Sequence, residues 1–244
     1  MRFPAGFPLL LSASLLVACD SSEPGDVAQL RLLHARDGAP AIDVTVNGET
    51  ILEGIAFSEA SGFAEVEAGA ATVALRPAGG GTALSSAAAD LIPGTRYTLL
   101  FSNAGGASEL RIAPDTATGI PLQPPPTEPG DTGAIPGESK IKIRVIHNAI
   151  DAPPLDVYLS LDGAPFTGGF PLVEPFTYGV GLNPEFPGYT ERDPGVWRVR
   201  FTADGTHDVM LDSGPLSMLA GQVRSVILHS TDTTGLGLAV VRER

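Results

Sequence analysis

Two histidines stand at matching places in the chain, and each is followed nine residues later by an aspartate: His34 by Asp43, and His147 by Asp156. An imidazole near a carboxylate serves either as part of a metal-ligand set or as a general base with its orienting acid. Both segments enclose a proline, Pro40 or Pro153, so each reads His-x5-Pro-x2-Asp between apolar runs. Strand parity works against a shared site. Each histidine falls on the apolar face of its strand, whereas Asp43 lies opposite Ile42 and Val44, and Asp156 lies opposite Leu155 and Val157. A histidine buried near a strand end with a backbone partner accounts for the pattern, so these six residues are read as a structural repeat motif with no catalytic or metal role. Asp204-Gly205-Thr206-His207-Asp208 offers carboxylates and an imidazole suited to a cation, and is equally the composition of a polar hairpin tip.

Asp131-Thr132-Gly133 resembles the triplet of aspartic proteases, whose chemistry needs two carboxylates sharing a proton in a rigid apolar cleft. Here it sits in a proline-rich stretch with no apolar strands beside it. No Gly-x-Ser-x-Gly elbow, phosphate-binding loop, His-Glu-x-x-His helix or dinucleotide fingerprint occurs in the chain. These readings point to a protein that is not an enzyme and needs no cofactor; a hydrolase built on His34 or His147 with a distant acid is the least favoured reading.

The one cysteine, Cys19, rules out an intramolecular disulfide. Before it, residues 1–18 carry a single positive charge at Arg2, an apolar run from Leu9 to Val17, and small Ala18. That is the plan of a signal peptide, and its apolar part falls short of the about 20 residues needed to span a bilayer as a helix. Leu16-Val17-Ala18-Cys19 resembles the bacterial lipobox, which implies cleavage before Cys19 and attachment of acyl chains to it. Two or three such chains anchor a protein far more firmly than one. Asp20 resembles the retention signal of enteric-type bacteria for the inner membrane; inner and outer membrane both stay open, with the protein facing the periplasm or the exterior. Residues 19–26 form the lipidated tether.

Acidic residues outnumber basic ones 28 to 15, giving a formal charge of −13. Such a surface repels phosphate backbones, so nucleic acid is excluded as a partner. With 29 Gly and 22 Pro in 244 residues, the composition favours short strands and turns over helices.

The His-x5-Pro-x2-Asp motif recurs at a spacing of 113 residues, and Gly69 to Leu75 answers Gly195 to Phe201, as Gly94 answers Gly221. Between the copies runs Pro121-Leu122-Gln123-Pro124-Pro125-Pro126, a composition of extended spacers. The expected fold is all-β: two tandem immunoglobulin-like antiparallel β-sandwich domains, residues 27–113 and 139–244, joined by a Pro-rich linker at 114–138 that projects the second domain outward. Lys140 to His147 alternates apolar Ile141, Ile143 and Val145 with Lys140, Lys142 and Arg144, which predicts a strand with one buried and one wet face. Asn47-Gly48, Asp162-Gly163 and Asp204-Gly205 predict hairpin turns. The two motif strands, with Phe63 or Tyr189 six residues before Gly69 or Gly195, resemble the bacterial family labelled domain of unknown function 4397. The second copy departs from it with Arg224-Ser225 in place of Tyr97-Thr98. The resemblance implies an extracytoplasmic sandwich often carried by lipoproteins, and implies no reaction.

The second copy also holds an insertion within Ala164 to Tyr189, bearing Phe166, Phe170, Phe176, Tyr178, Phe186 and Tyr189. Aromatics on stiff loops make contact surfaces for proteins or stack on sugar faces; they also build local cores over strand edges. The function expected is therefore a non-catalytic, membrane-anchored envelope lipoprotein acting as a binding or structural interaction module, with these aromatics as its contact. The alternative is a carbohydrate-binding envelope protein, with or without Ca²⁺ assistance. The partners implied are the membrane through Cys19 and an envelope protein or glycan.

Overall fold

The computed structural model describes residues 26–104, 107–114, 139–166, 171–180, 188–231 and 235–243. The signal peptide, Cys19 with nearly all of its tether, Phe170, Phe186, and the linker from 115 on with Asp131-Thr132-Gly133 lie outside the described residues. The first half folds as β1 (Val27–His34), β2 (Ile42–Val46), β3 (Glu49–Ile55), β4 (Ala64–Glu67), β5 (Gly69–Pro77), β6 (Ser85–Leu91), β7 (Arg96–Ala104) and β8 (Ala107–Pro114). The second folds as β9 (Ile141–Asn148), β10 (Leu155–Leu161), β11 (Val173–Phe176), β12 (Thr190–Arg192), β13 (Gly195–Ala203), β14 (Val209–Asp212), β15 (Leu216–Met218), β16 (Val223–Ser230) and β17 (Leu236–Arg242). No helix long and apolar enough to cross a membrane occurs among the described residues.

Each half is a pair of packed sheets. Strand orders are β4-β1-β7-β8 and β3-β2-β5-β6 in the first, then β12-β9-β16-β17 and β11-β10-β13-β14, with β15 also on β13, in the second. Strand for strand the orders correspond, with short β14 and β15 standing where the first half has β6. Alternating side chains fill both cores: Leu30, Leu32, Ile42, Val44, Val73, Leu75, Leu99 and Phe101 in one, and Ile141, Ile143, Val157, Val199, Phe201, Val226 and Leu228 in the other. The predicted Asn47-Gly48 turn joins β2 to β3 with φ of 51° and 91°, the left-handed pair a tight hairpin requires.

One expectation is corrected by the central pairs. β1 runs parallel to β7 and β9 parallel to β16, so the sheet of each half that holds them is mixed, while the other sheet of each half is antiparallel. The chain leaves β1 for the opposite sheet, returns as β4 along one edge of β1, crosses again for β5 and β6, and reaches the other edge of β1 as β7 by a crossover rather than a hairpin.

A second correction concerns the faces. Arg144 is buried beside Ile146, so the outer face of β9 is not wet. Leu33, Ala35 and Leu100 of the first half pack directly on Ile146, Ile227, Ala239 and Val241 of the second. The halves therefore lie sheet against sheet, and the linker does not project the second away from the first. The cause is two-sided apolarity in the central strands, visible as Leu32-Leu33, Leu99-Leu100 and Val226-Ile227-Leu228.

Charge is buried in this interface with its partners supplied. Glu243 accepts from Arg31 Nη1 at 2.8 Å and Arg144 Nη2 at 3.1 Å, and also from the hydroxyls of Ser225 and Tyr189. Burial alone would raise its pKa; the two guanidinium groups and two hydroxyl donors outweigh it and hold the carboxyl at about 2. At the far end of the interface Asn148, closing β9, donates to Ser102 near the end of β7 and to Glu109 Oε2 at 2.8 Å, and accepts from Arg111 Nη1 at 2.9 Å. β7 and β9 thus finish together, and the four central strands share one direction.

Candidate binding face on the second half

Alternation along β10 sends Leu155, Val157 and Leu159 to the core and leaves Asp156, Tyr158 and Ser160 on the outer face of the sheet. Their register partners on β13 are Thr202, Arg200 and Arg198. Phe166, from the insertion, meets Tyr158 edge-on with ring centroids 5.1 Å apart, and His207 lies 5.7 Å from the same ring and 6.2 Å from Phe166. The Arg200 guanidinium sits over Phe166 at 5.2 Å. Arg200 also donates to Ser160 and, at 3.1 Å, to Asp212 Oδ2; Arg198 donates to Asp162 and, at 3.0 Å, to Asp212 Oδ1. These bonds fix the arginines, and half-buried Phe166 and exposed His207 lie against buried Tyr158 with fixed polar groups at their edge.

Asp156 anchors the patch from below. Its Oδ2 accepts from the backbone N–H of Gly205 at 2.9 Å, while its buried Oδ1 has no hydrogen-bond partner. Asp43, the counterpart in the first half, has both oxygens engaged, by Gly54 N–H at 2.8 Å and Gly79 N–H at 3.0 Å. Register explains the difference: Ile42 pairs with Ile55 and Leu155 with Phe176, so Pro175 stands where Gly54 stands, and proline has no N–H to give. The Tyr158 hydroxyl has its pKa raised by burial and then by the negative charges of Asp156 and Glu174.

The remaining sequence candidates are scattered. Phe176 is fully buried in the core of the second half and is corrected from contact residue to core residue, because β11 turns it inward against Phe201 at 5.8 Å. Tyr178 donates to Glu109 Oε1 at 2.7 Å beneath the Arg111 guanidinium, and Tyr189 lies under Arg144 while donating to Glu243. Both belong to the interface between the halves. Of the four aromatics among the described residues, Phe166 alone lies on the outer face.

His34 and His147 are buried with depressed pKa, His147 to about 4, and burial is the leading cause in both. His34 Nε2 lies 3.1 Å from the Pro40 carbonyl and its Nδ1 accepts from Arg36 N–H at 3.3 Å. His147 Nδ1 accepts from Ala149 N–H at 3.4 Å, and its Nε2 has no partner. Neither histidine meets its motif aspartate. Among the described residues, no group of three His, Cys, Asp or Glu is placed to hold a metal ion. Sequence reasoning passed over Tyr158, Arg198 and Arg200, although the Trp197 to Phe201 alternation places both arginines on the outer face.

Comparison with known proteins reaches the first half. Residues 28–123 match the family described as Domain of unknown function (DUF4397). The match stops at Gln123, so the likeness of the second half to the first rests on strand order and repeated side chains. None of the curated proteins matches. Among solved structures, the chain is similar to CBMbc (family CBM26) from Eubacterium rectale Amy13K in complex with maltoheptaose, at 11% identity over 89% of this chain and 97% of that one. Its TM-score is 0.25, and neither shared fold nor shared ligand follows from it.

Proposed function

We propose that this protein is a non-catalytic glycan-binding module held in the bacterial envelope by acyl chains on Cys19, with the outer face of the second half as its binding surface. The observation that carries the reading is the cluster of Tyr158, Phe166 and His207 edged by Arg198, Arg200, Asp162 and Asp212. Pyranose rings have one apolar face that stacks on aromatics and hydroxyls that pair with fixed ionic groups, and this patch presents both chemistries on a rigid sheet. Supporting the address are the signal-peptide plan of residues 1–18 and the lipobox-like Leu16 to Cys19. We read the second half as a diverged copy of the first, each of immunoglobulin-like size, one copy kept plain while the other gained the patch.

The test is a glycan array probed with the full chain and with Phe166→Ala. Binding that the substitution reduces at least tenfold supports the reading. Absence of any bound glycan, with an envelope protein crosslinked to the same face instead, replaces it by a protein-interaction module. The anchor is tested separately by intact mass of the native protein: an unmodified thiol at Cys19 overturns it.

A further inference from the structure

We infer that the glycan bound on this face carries a free amino group, and that its ammonium is received by Asp156 and Glu174 while the sugar ring lies against Phe166. The inference rests on the glycan reading above and narrows it to amino sugars.

Asp156 carries the argument. The residue is only 2% exposed, and a buried acceptor left without a donor is costly, the more so when charged. The first half avoids that cost with Gly54, whereas the second places Pro175 at the matching position and leaves Oδ1 buried without a donor among the described residues. A donor brought by a ligand satisfies it. Strand alternation puts this carboxylate on the face that holds Tyr158, and the flanking Glu174 and His207 are both exposed.

Charge selects the kind of donor. Two carboxylates, Asp156 and Glu174, act on the Tyr158 hydroxyl. Arg198 and Arg200 are bound to Asp162, Asp212 and Ser160, so they are committed elsewhere. The local balance is therefore negative, the overall charge of −13 has the same sign, and an aromatic ring beside carboxylates favours a cation over a neutral hydroxyl.

The experiment is calorimetric titration of the full chain with a glucosamine hexamer and with its fully N-acetylated counterpart. The expected result is at least tenfold tighter binding of the free-amine hexamer, with that preference lost in Asp156→Asn. Glu174→Gln, at an exposed position that does not endanger folding, should reduce the preference about threefold. Asp43→Asn should leave it unchanged. Equal binding of both hexamers, or tighter binding of the acetylated one, overturns the amine while the glycan reading stands. A preference that survives in a folded Asp156→Asn overturns the role of that residue. Failure of both hexamers on a protein that takes other glycans from the array overturns this inference alone, and failure of every glycan overturns both.

Discussion

The two halves of the molecule agree on their inner sheets and disagree on their outer ones. Inside, Arg31 donates to Thr98 Oγ1 at 3.0 Å beneath the same guanidinium that covers Phe63, and Arg144 repeats this with Ser225 at 2.8 Å and Tyr189. Outside, β2 and β5 of the first half present Thr45, Ala74 and Thr72 where the second presents Tyr158, Arg200 and Arg198. A face that must fit a partner within the chain keeps its residue types, and a face turned to solvent is where chemistry diverges. The acid that Arg31 and Arg144 share, Glu243, comes from the second half.

Glu243→Ala should give the largest effect, because it removes the buried carboxylate that Arg31 and Arg144 share, at a cost of about 3 to 5 kcal/mol. Denaturant unfolding measures it; a loss below about 1 kcal/mol would mean that the shared inner face is held by its apolar contacts alone.

The paired aspartates sharpen the outer-face contrast. Asp43→Ala removes the acceptor of two backbone N–H groups and should cost about 2 to 3 kcal/mol. Asp156→Ala removes the acceptor of one and relieves an unpartnered oxygen, so its cost should be clearly smaller. Equal costs would mean that Pro175 makes no energetic difference between the halves.

Acid should separate the histidines. A buried imidazole whose pKa is lowered to about 4 binds its proton more readily in the unfolded chain, so stability is full above about 6.5 and falls as pH drops toward 4. Glu243, lowered to about 2, adds a second fall between the ordinary carboxylate value and 2. His147→Phe should reduce the first fall in melting temperature, to which His34 also contributes, and leave the second. At neutral pH, the smallest difference is expected: both His34→Phe and His147→Phe leave one backbone N–H, that of Arg36 or Ala149, without its imidazole acceptor, and His34→Phe costs about 1 kcal/mol more through its lost bond to Pro40.

Much of the fold was legible. Period-two alternation marked β9 and β13, and the Asn47-Gly48 and Asp204-Gly205 dipeptides marked turns. The interface was harder to see, because alternation reports that a face is buried without saying against what, and the charges of Lys142 and Arg144 disguised a covered face as a wet one. Leu32-Leu33 and Val145-Ile146 held the missing signal, since adjacent apolar residues in one strand need cover on both sides. The binding face was half legible: Phe166 stood out by type, but Tyr158 and His207 are 49 residues apart and meet only because the hairpin after β13 folds back on β10. Phe176 and Tyr189 were indistinguishable from it by composition alone.

The common direction of the four central strands has a consequence for height. If Cys19 is fixed in a lipid layer, seven residues of contour, roughly 25 Å at most, separate it from Val27 at the start of β1. Each eight-residue central strand then climbs a further ~26 Å or so before its chain turns. Asp156, just after the turn that follows β9, sits at that upper rim with Gly205 and His207, so the proposed amine-reading end of the patch would stand at the rim turned away from the membrane, beside the matching rim of Asp43 and Gly79.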